Sequence, residues 1–125
     1  MKKHINTQSS LKPGGPYCTA VQTESLIFLS GMIPLDPSTG KPIAGDIQAQ
    51  TARVLENLRL ITAELGKSLA DAVKVTVYLT NMGDFSAVNA LYAEAFAQNL
   101  PARTCVAVAA LPLGVNIEID VILEA

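Results

Sequence analysis

Arg103 heads the run Pro101-Ala102-Arg103-Thr104-Cys105-Val106-Ala107 and is its single charged residue. A guanidinium is planar and always charged. Held at a strand end, it can grip a small carboxylate through two parallel hydrogen bonds. An arginine that is solvated, or paired with an acidic neighbour, explains the same spacing equally well. Asp120 lies on the last strand-like run and is expected on the Arg103 face, as a partner in a site or as a structural salt bridge. Cys105, two residues after Arg103, points the same way. It is either a small apolar filler or a thiol nucleophile, and the second role needs a base. Tyr17, after Gly15-Pro16, offers a hydroxyl donor or a packed ring. Asn89 interrupts an apolar helical stripe and serves either a ligand or water.

Several chemistries are excluded or disfavoured by what is missing. The single histidine, His4, lies near the start of the chain, so a histidine triad or a multi-histidine metal site has no residues to build it. Neither GxxxxGK[ST] nor GxGxxG occurs, which leaves phosphate cradles unsupported. A formal net charge of −2 lacks the basic footprint of a nucleic-acid binder. Cys18 and Cys105 fit no disulfide or metal spacing, so a cytoplasmic protein with reduced thiols is expected. No run approaches the ~20 apolar residues of a membrane span, and MKKHINTQSS has no apolar segment of a secretory signal.

The elements that must position these residues follow from periodicity. The chain of 125 residues is read as one domain, 1–125. The segment to Pro16 reads as an arm or loop. Tyr17–Val21 and Leu26–Leu29 read as strands, followed by a loop rich in glycine and proline. Asp46 is placed to cap a helix whose Ile47, Val54, Leu58, Ile61 and Leu65 share a stripe, with Gly66 at its end. Gln48, Gln50, Arg53, Glu56, Asn57 and Glu64 are assigned to its wet face. Val73, Val75, Val77 and Leu79 alternate with polar residues as in a strand. Asp84 or Ser86 starts a second helix with Val88, Tyr92, Ala95 and Phe96 inward, and Pro101 stops it. Arg103–Val108 and Val115–Leu123 complete an α+β fold: a single mixed sheet of five to six strands with two helices on one face.

That layering leaves the other sheet face bare. Tyr78, Cys105, Ala107, Ala109 and Ile122 are expected there, with Arg103 and Asp120 among them. The chain is 50% hydrophobic and 16% charged, against about 25% charged in average domains. An apolar sheet face on such a chain is best covered by further copies of itself.

Five ordered motifs add a resemblance. Gly15-Pro16-Tyr17, Ser30-Gly31-x-Ile33-Pro34, Gly83-Asp84-Phe85-x-x-Val88-Asn89, Pro101-x-Arg103-x-Cys105-Val106, and Leu111-Pro112 with Ile117-Glu118-Ile119 resemble the RidA (YjgF) family over nearly the whole chain. The resemblance implies a chorismate-mutase-like fold and a homotrimer whose sheets form a barrel, with ligand clefts between subunits. It implies hydrolysis of enamines and imines such as 2-aminoacrylate and 2-iminobutanoate to 2-oxo acids and ammonia, without metal or organic cofactor. On that pattern Arg103 holds the substrate carboxylate, Ser30, Gly31 and Cys105 hydrogen-bond the ligand through their backbone, and Tyr17 closes the pocket. The glutamate thought to position the hydrolytic water is matched to Asp120, one methylene shorter. Thr19 and Met32 stand where the family has glutamines, and the loop before Pro101 is about two residues short. A non-catalytic binder or sensor of 2-oxo acids is the alternative implied by Asp120. An endoribonuclease or translation inhibitor is the least favoured reading.

Overall fold

In the computed structural model, which describes residues 1–7 and 11–125, β-branched residues at alternate positions build the centre of one mixed sheet. Six strands, β1 (Lys3–Ile5), β2 (Ala20–Gln22), β3 (Leu26–Leu29), β4 (Ala72–Leu79), β5 (Ala102–Ala107) and β6 (Ile117–Glu124), lie in the order β1-β2-β3-β6-β4-β5. Only β4 and β5 are parallel. They are joined by α2 (Phe85–Ala95), the crossover that a parallel pair requires. The expected fold class is the observed one. One correction is that the opening arm contains a strand, β1, paired with β2. The part of that arm at Gln8, Ser9 and Ser10 lies outside the described residues.

Helix α1 (Ile47–Glu64) begins where Asp46 accepts a hydrogen bond from the Ala49 N–H at 2.9 Å, a side-chain N-cap. Val54, Leu58 and Ile61 are buried against the sheet, while Ile47 and Leu65 pack at its margin. Two polar residues assigned to the wet face are buried instead, Gln50 and Asn57. Each survives burial by being bonded. Gln50 donates Nε2 to the Gly45 carbonyl at 3.0 Å and to Asn116 Oδ1 at 2.9 Å, and its Oε1 accepts from the Asn116 N–H at 2.8 Å. Asn57 donates to the Leu35 carbonyl at 2.8 Å and accepts from Arg53 Nε at 3.0 Å. These bonds fasten α1 to the long loop and to the start of β6.

Both helices cover one side of the sheet. Ile117, Ile119, Val121 and Leu123 face them, as do Val75, Val77 and Leu79 of the neighbouring strand, and all seven are buried. The opposite side carries Glu118, Asp120, Ile122 and Glu124 from β6, Thr76 and Tyr78 from β4, and Phe28 from β3. The face assignment of β5 is corrected. In the parallel register Arg103 pairs with Val75, Cys105 with Val77 and Ala107 with Leu79, so these three turn toward the helices. Thr104 and Val106 occupy the open side with Thr76 and Tyr78. Alternation within β5 is weak because it is an edge strand with both faces accessible. An apolar group still lies on the open side, composed of Phe28, Tyr78, Val106 and Ile122.

Candidate functional site

Residues with chemical potential gather in two places. The first is the seam between α2 and the edge strand β5. Phe85, Asn89 and Tyr92 fall at i, i+4 and i+7 and therefore share one helix face. Arg103 reaches across to all three. Its Nη1 donates to Asn89 Oδ1 at 2.7 Å, and its guanidinium carbon lies 4.7 Å from the Tyr92 ring centre and 5.3 Å from that of Phe85. Cation–π contact and a charge-assisted hydrogen bond together fix the orientation of the fork. The fork itself remains exposed. The Asn89 bond engages only one of its five N–H donors among the described residues, leaving others for a carboxylate.

Cys105 lies beside this seam, half-buried and reduced. Burial pushes its thiol pKa above the usual value, and the Arg103 charge only partly opposes that shift. A thiol so placed is a poor nucleophile at neutral pH. Burial likewise raises the pKa of the Tyr92 phenol, whose hydroxyl has no hydrogen-bond partner among the described residues.

The second place is a cleft of about 350 Å³ lined by Tyr17, Ser30, Gly31, Met32, Pro112 and Leu113, among others. Tyr17 is thrust outward by a tight turn in which its N–H bonds the Gly15 carbonyl at 2.8 Å, and it is 55% exposed. Ser30 and Gly31 follow β3 and run alongside β6 through a bridge between Met32 and Ile119. Ser30 donates its hydroxyl to the Cys18 carbonyl at 2.8 Å. Glycine at position 31 leaves room for the Glu118 carboxylate, which a Cβ there would push out of its present place. Burial first, and the Asp120 charge second, push the Glu118 carboxyl above the usual carboxylate range.

Asp120 keeps the open face expected of it, and it is Arg103 that the structure turns to the other side. Asp120 thus points opposite in direction to Arg103, with β4 between their strands. Its Oδ2 accepts from the Tyr78 hydroxyl at 2.9 Å, a diagonal cross-strand contact. That bond is the main reason the Tyr78 pKa is raised. The carboxylate brought against Ser30–Gly31 is Glu118. The structure thus groups Arg103, Asn89 and Cys105 on one side, and Tyr17, Ser30 and Gly31 on the other. Glu118, Phe85 and Tyr92 escaped the residue-by-residue reading, although the i, i+4, i+7 spacing around Asn89 was a usable signal.

Larger hollows of about 450 and 650 Å³ lie along α1 and α2 and hold none of these residues. Among the described residues, no group of three or more His, Cys, Asp or Glu side chains could hold a metal, and no helix is long and apolar enough to cross a membrane.

Comparison with known proteins places this geometry in a family. The family model described as Endoribonuclease L-PSP matches residues 7–125. A RutC family protein of Pyrococcus horikoshii is 48% identical, over 98% of this chain and 97% of that protein. A 2-iminobutanoate/2-iminopropanoate deaminase of Salmonella typhimurium is 42% identical, over 98% of this chain and 97% of its own length. The crystal structure of Escherichia coli TdcF with bound serine superposes with a TM-score of 0.90 at 39% identity, covering 98% of both chains. The chain belongs to the Endoribonuclease L-PSP family, the RutC/YjgF group that its motifs resemble.

Proposed function

We propose that this protein is a deaminase that hydrolyses short enamine and imine intermediates, of the 2-aminoacrylate and 2-iminobutanoate type, to 2-oxo acids and ammonia. The observation that carries this reading is the exposed Arg103 fork, oriented by Asn89, Phe85 and Tyr92 and still able to take a small carboxylate. The deaminase name of the Salmonella relative supports the reaction class. A formal charge of −2 favours a small substrate over the RNA suggested by the family model's name.

The chemistry asks little of the protein. An enamine first tautomerises to the imine, whose C2 is already electrophilic. Water adds to C2 as a proton passes to the nitrogen, giving a carbinolamine. Collapse of the C2 hydroxyl to a carbonyl then breaks the C–N bond and releases ammonia. Orientation of the carboxylate and a proton carrier near C2 are the main requirements. Glu118 is suited to the second task. Its raised pKa brings it nearer to the range where one group can both take and return a proton. Asp120 acts behind it, held by Tyr78.

Arg103 and Glu118 belong to separate clusters of one chain, so the reading requires a second copy. A homotrimer that buries Phe28, Tyr78, Val106 and Ile122 would bring Arg103 of one subunit to the Ser30–Gly31 cleft of the next. The experiment is ammonia release from enzymatically generated 2-aminoacrylate. The unaltered protein is expected to accelerate it and Arg103→Ala to abolish the acceleration. Absence of acceleration by the unaltered protein refutes the deaminase reading.

A further inference from the structure

The short 3-10 turn Pro112–Gly114, which leads toward β6, contains an anomaly. Leu113 has φ 57 and ψ 21, and it is the one non-glycine residue with positive φ among the described residues. Leucine is disfavoured in that left-handed region, where its Cβ crowds the backbone. Core burial does not offset the strain, because the side chain is 72% exposed. An outlier of this kind points to a function at the site where it is held.

Leu113 lines the cleft beside Ser30 and Gly31, together with Leu11, Pro13, Met32, Leu35 and Tyr17. The polar side chains there are partly committed within the chain. Ser30 donates its hydroxyl to the Cys18 carbonyl at 2.8 Å, and the Thr19 hydroxyl accepts from the Thr7 N–H at 3.1 Å. The cleft therefore offers a largely apolar wall with an unburied leucine at its edge. Its volume of about 350 Å³ is within the range of small-molecule sites.

Resting on the deaminase reading of this site, we propose that Leu113 is a specificity-determining residue, which closes over the substrate's side chain and favours imino and 2-oxo acids with a branched apolar chain over those with a single methyl. The carboxylate end of the ligand is held elsewhere, by Arg103, so Leu113 discriminates by side chain and not by charge. Burial of its apolar surface against a matching ligand gives the strained leucine a return that it lacks in the free chain.

The test uses the full-length protein and two stable 2-oxo acids, pyruvate and 4-methyl-2-oxopentanoate, measured by calorimetry. Leu113→Asn keeps a residue that tolerates left-handed backbone, so its Tm is expected to be no lower than that of the parent. Its Kd for 4-methyl-2-oxopentanoate is expected to weaken about tenfold with the Kd for pyruvate unchanged. Leu113→Met is expected to retain most of the preference. Equal weakening for both acids, or no change for either, overturns the proposal while leaving the deaminase reading intact. Altered oligomeric state with unchanged selectivity also overturns it and assigns Leu113 to a subunit contact. If the parent binds neither acid and releases no ammonia, the site reading fails and the selectivity proposal falls with it.

Discussion

Arg103 Nη1 donates to Asn89 Oδ1 at 2.7 Å, a bond that ties the exposed edge strand β5 to the middle of α2. The Tyr92 ring lies against the guanidinium, its centre 4.7 Å from the guanidinium carbon, and adds a cation–π contact. Because both contacts orient the guanidinium, charge alone is not a sufficient replacement.

Arg103→Lys is therefore expected to lower kcat/KM at least tenfold, since an ammonium cannot make the bidentate grip. Asn89→Leu is expected to raise KM about tenfold with a smaller change in kcat, the loss of one hydrogen bond to a charged group. Steady-state ammonia release measures both. A drop confined to kcat in Asn89→Leu would mean that Asn89 acts on the reacting atoms and not on the fork.

Glu118 and Asp120 share a strand face but differ in surroundings, and activity is expected to follow Glu118. Glu118→Gln should reduce kcat/KM by about 10²-fold or more, the usual contribution of a general acid–base group. Asp120→Asn should cost less than about tenfold, as an indirect effect. The reverse order would restore the site role to Asp120.

The raised Glu118 pKa also has a consequence for stability. An acid that holds its proton more tightly when folded favours the folded state below its unfolded pKa. That contribution is lost as pH rises through the folded value. Glu118→Gln should therefore be more stable than the parent at neutral pH. The difference should shrink on acidification toward pH ~4, in thermal melts across pH.

A site shared between subunits predicts complementation. Arg103→Ala and Glu118→Gln should each be inactive alone. Refolded together, they should regain roughly one quarter of the sites, those pairing an intact Arg103 with an intact Glu118. Failure to recover activity in confirmed mixed oligomers would remove the shared-site geometry.

The buried Gln50 fastens α1 to the start of β6, and its loss should be visible in stability. Gln50→Leu strips partners from the Gly45 carbonyl and from the Asn116 N–H and side chain. The expected cost is about 2 kcal/mol, with Tm lower by about 8 °C by thermal melting. A neutral result would mean that water replaces the amide.

Sequence periodicity alone determined α1 with its Asp46 cap, a sheet covered on one side, and the alternation of β6 and of β4 from Val75 onward. Those features depend on local backbone geometry, which 3.6- and 2-residue repeats record directly. Val73, expected to share that buried face, is exposed because a register shift between Ala72 and Lys74 breaks the period. The motifs likewise indicated the family and Arg103. Tertiary structure decided which way the key side chains turn. The alternation of β5 defines two faces without naming them, and only its parallel register with β4 places Arg103 and Cys105 on the helix side. Glu118 and Asp120, two residues apart, are equivalent to any period-two argument. The bridge between Met32 and Ile119 separates them, because it lays Gly31 against Glu118 and leaves Asp120 to Tyr78.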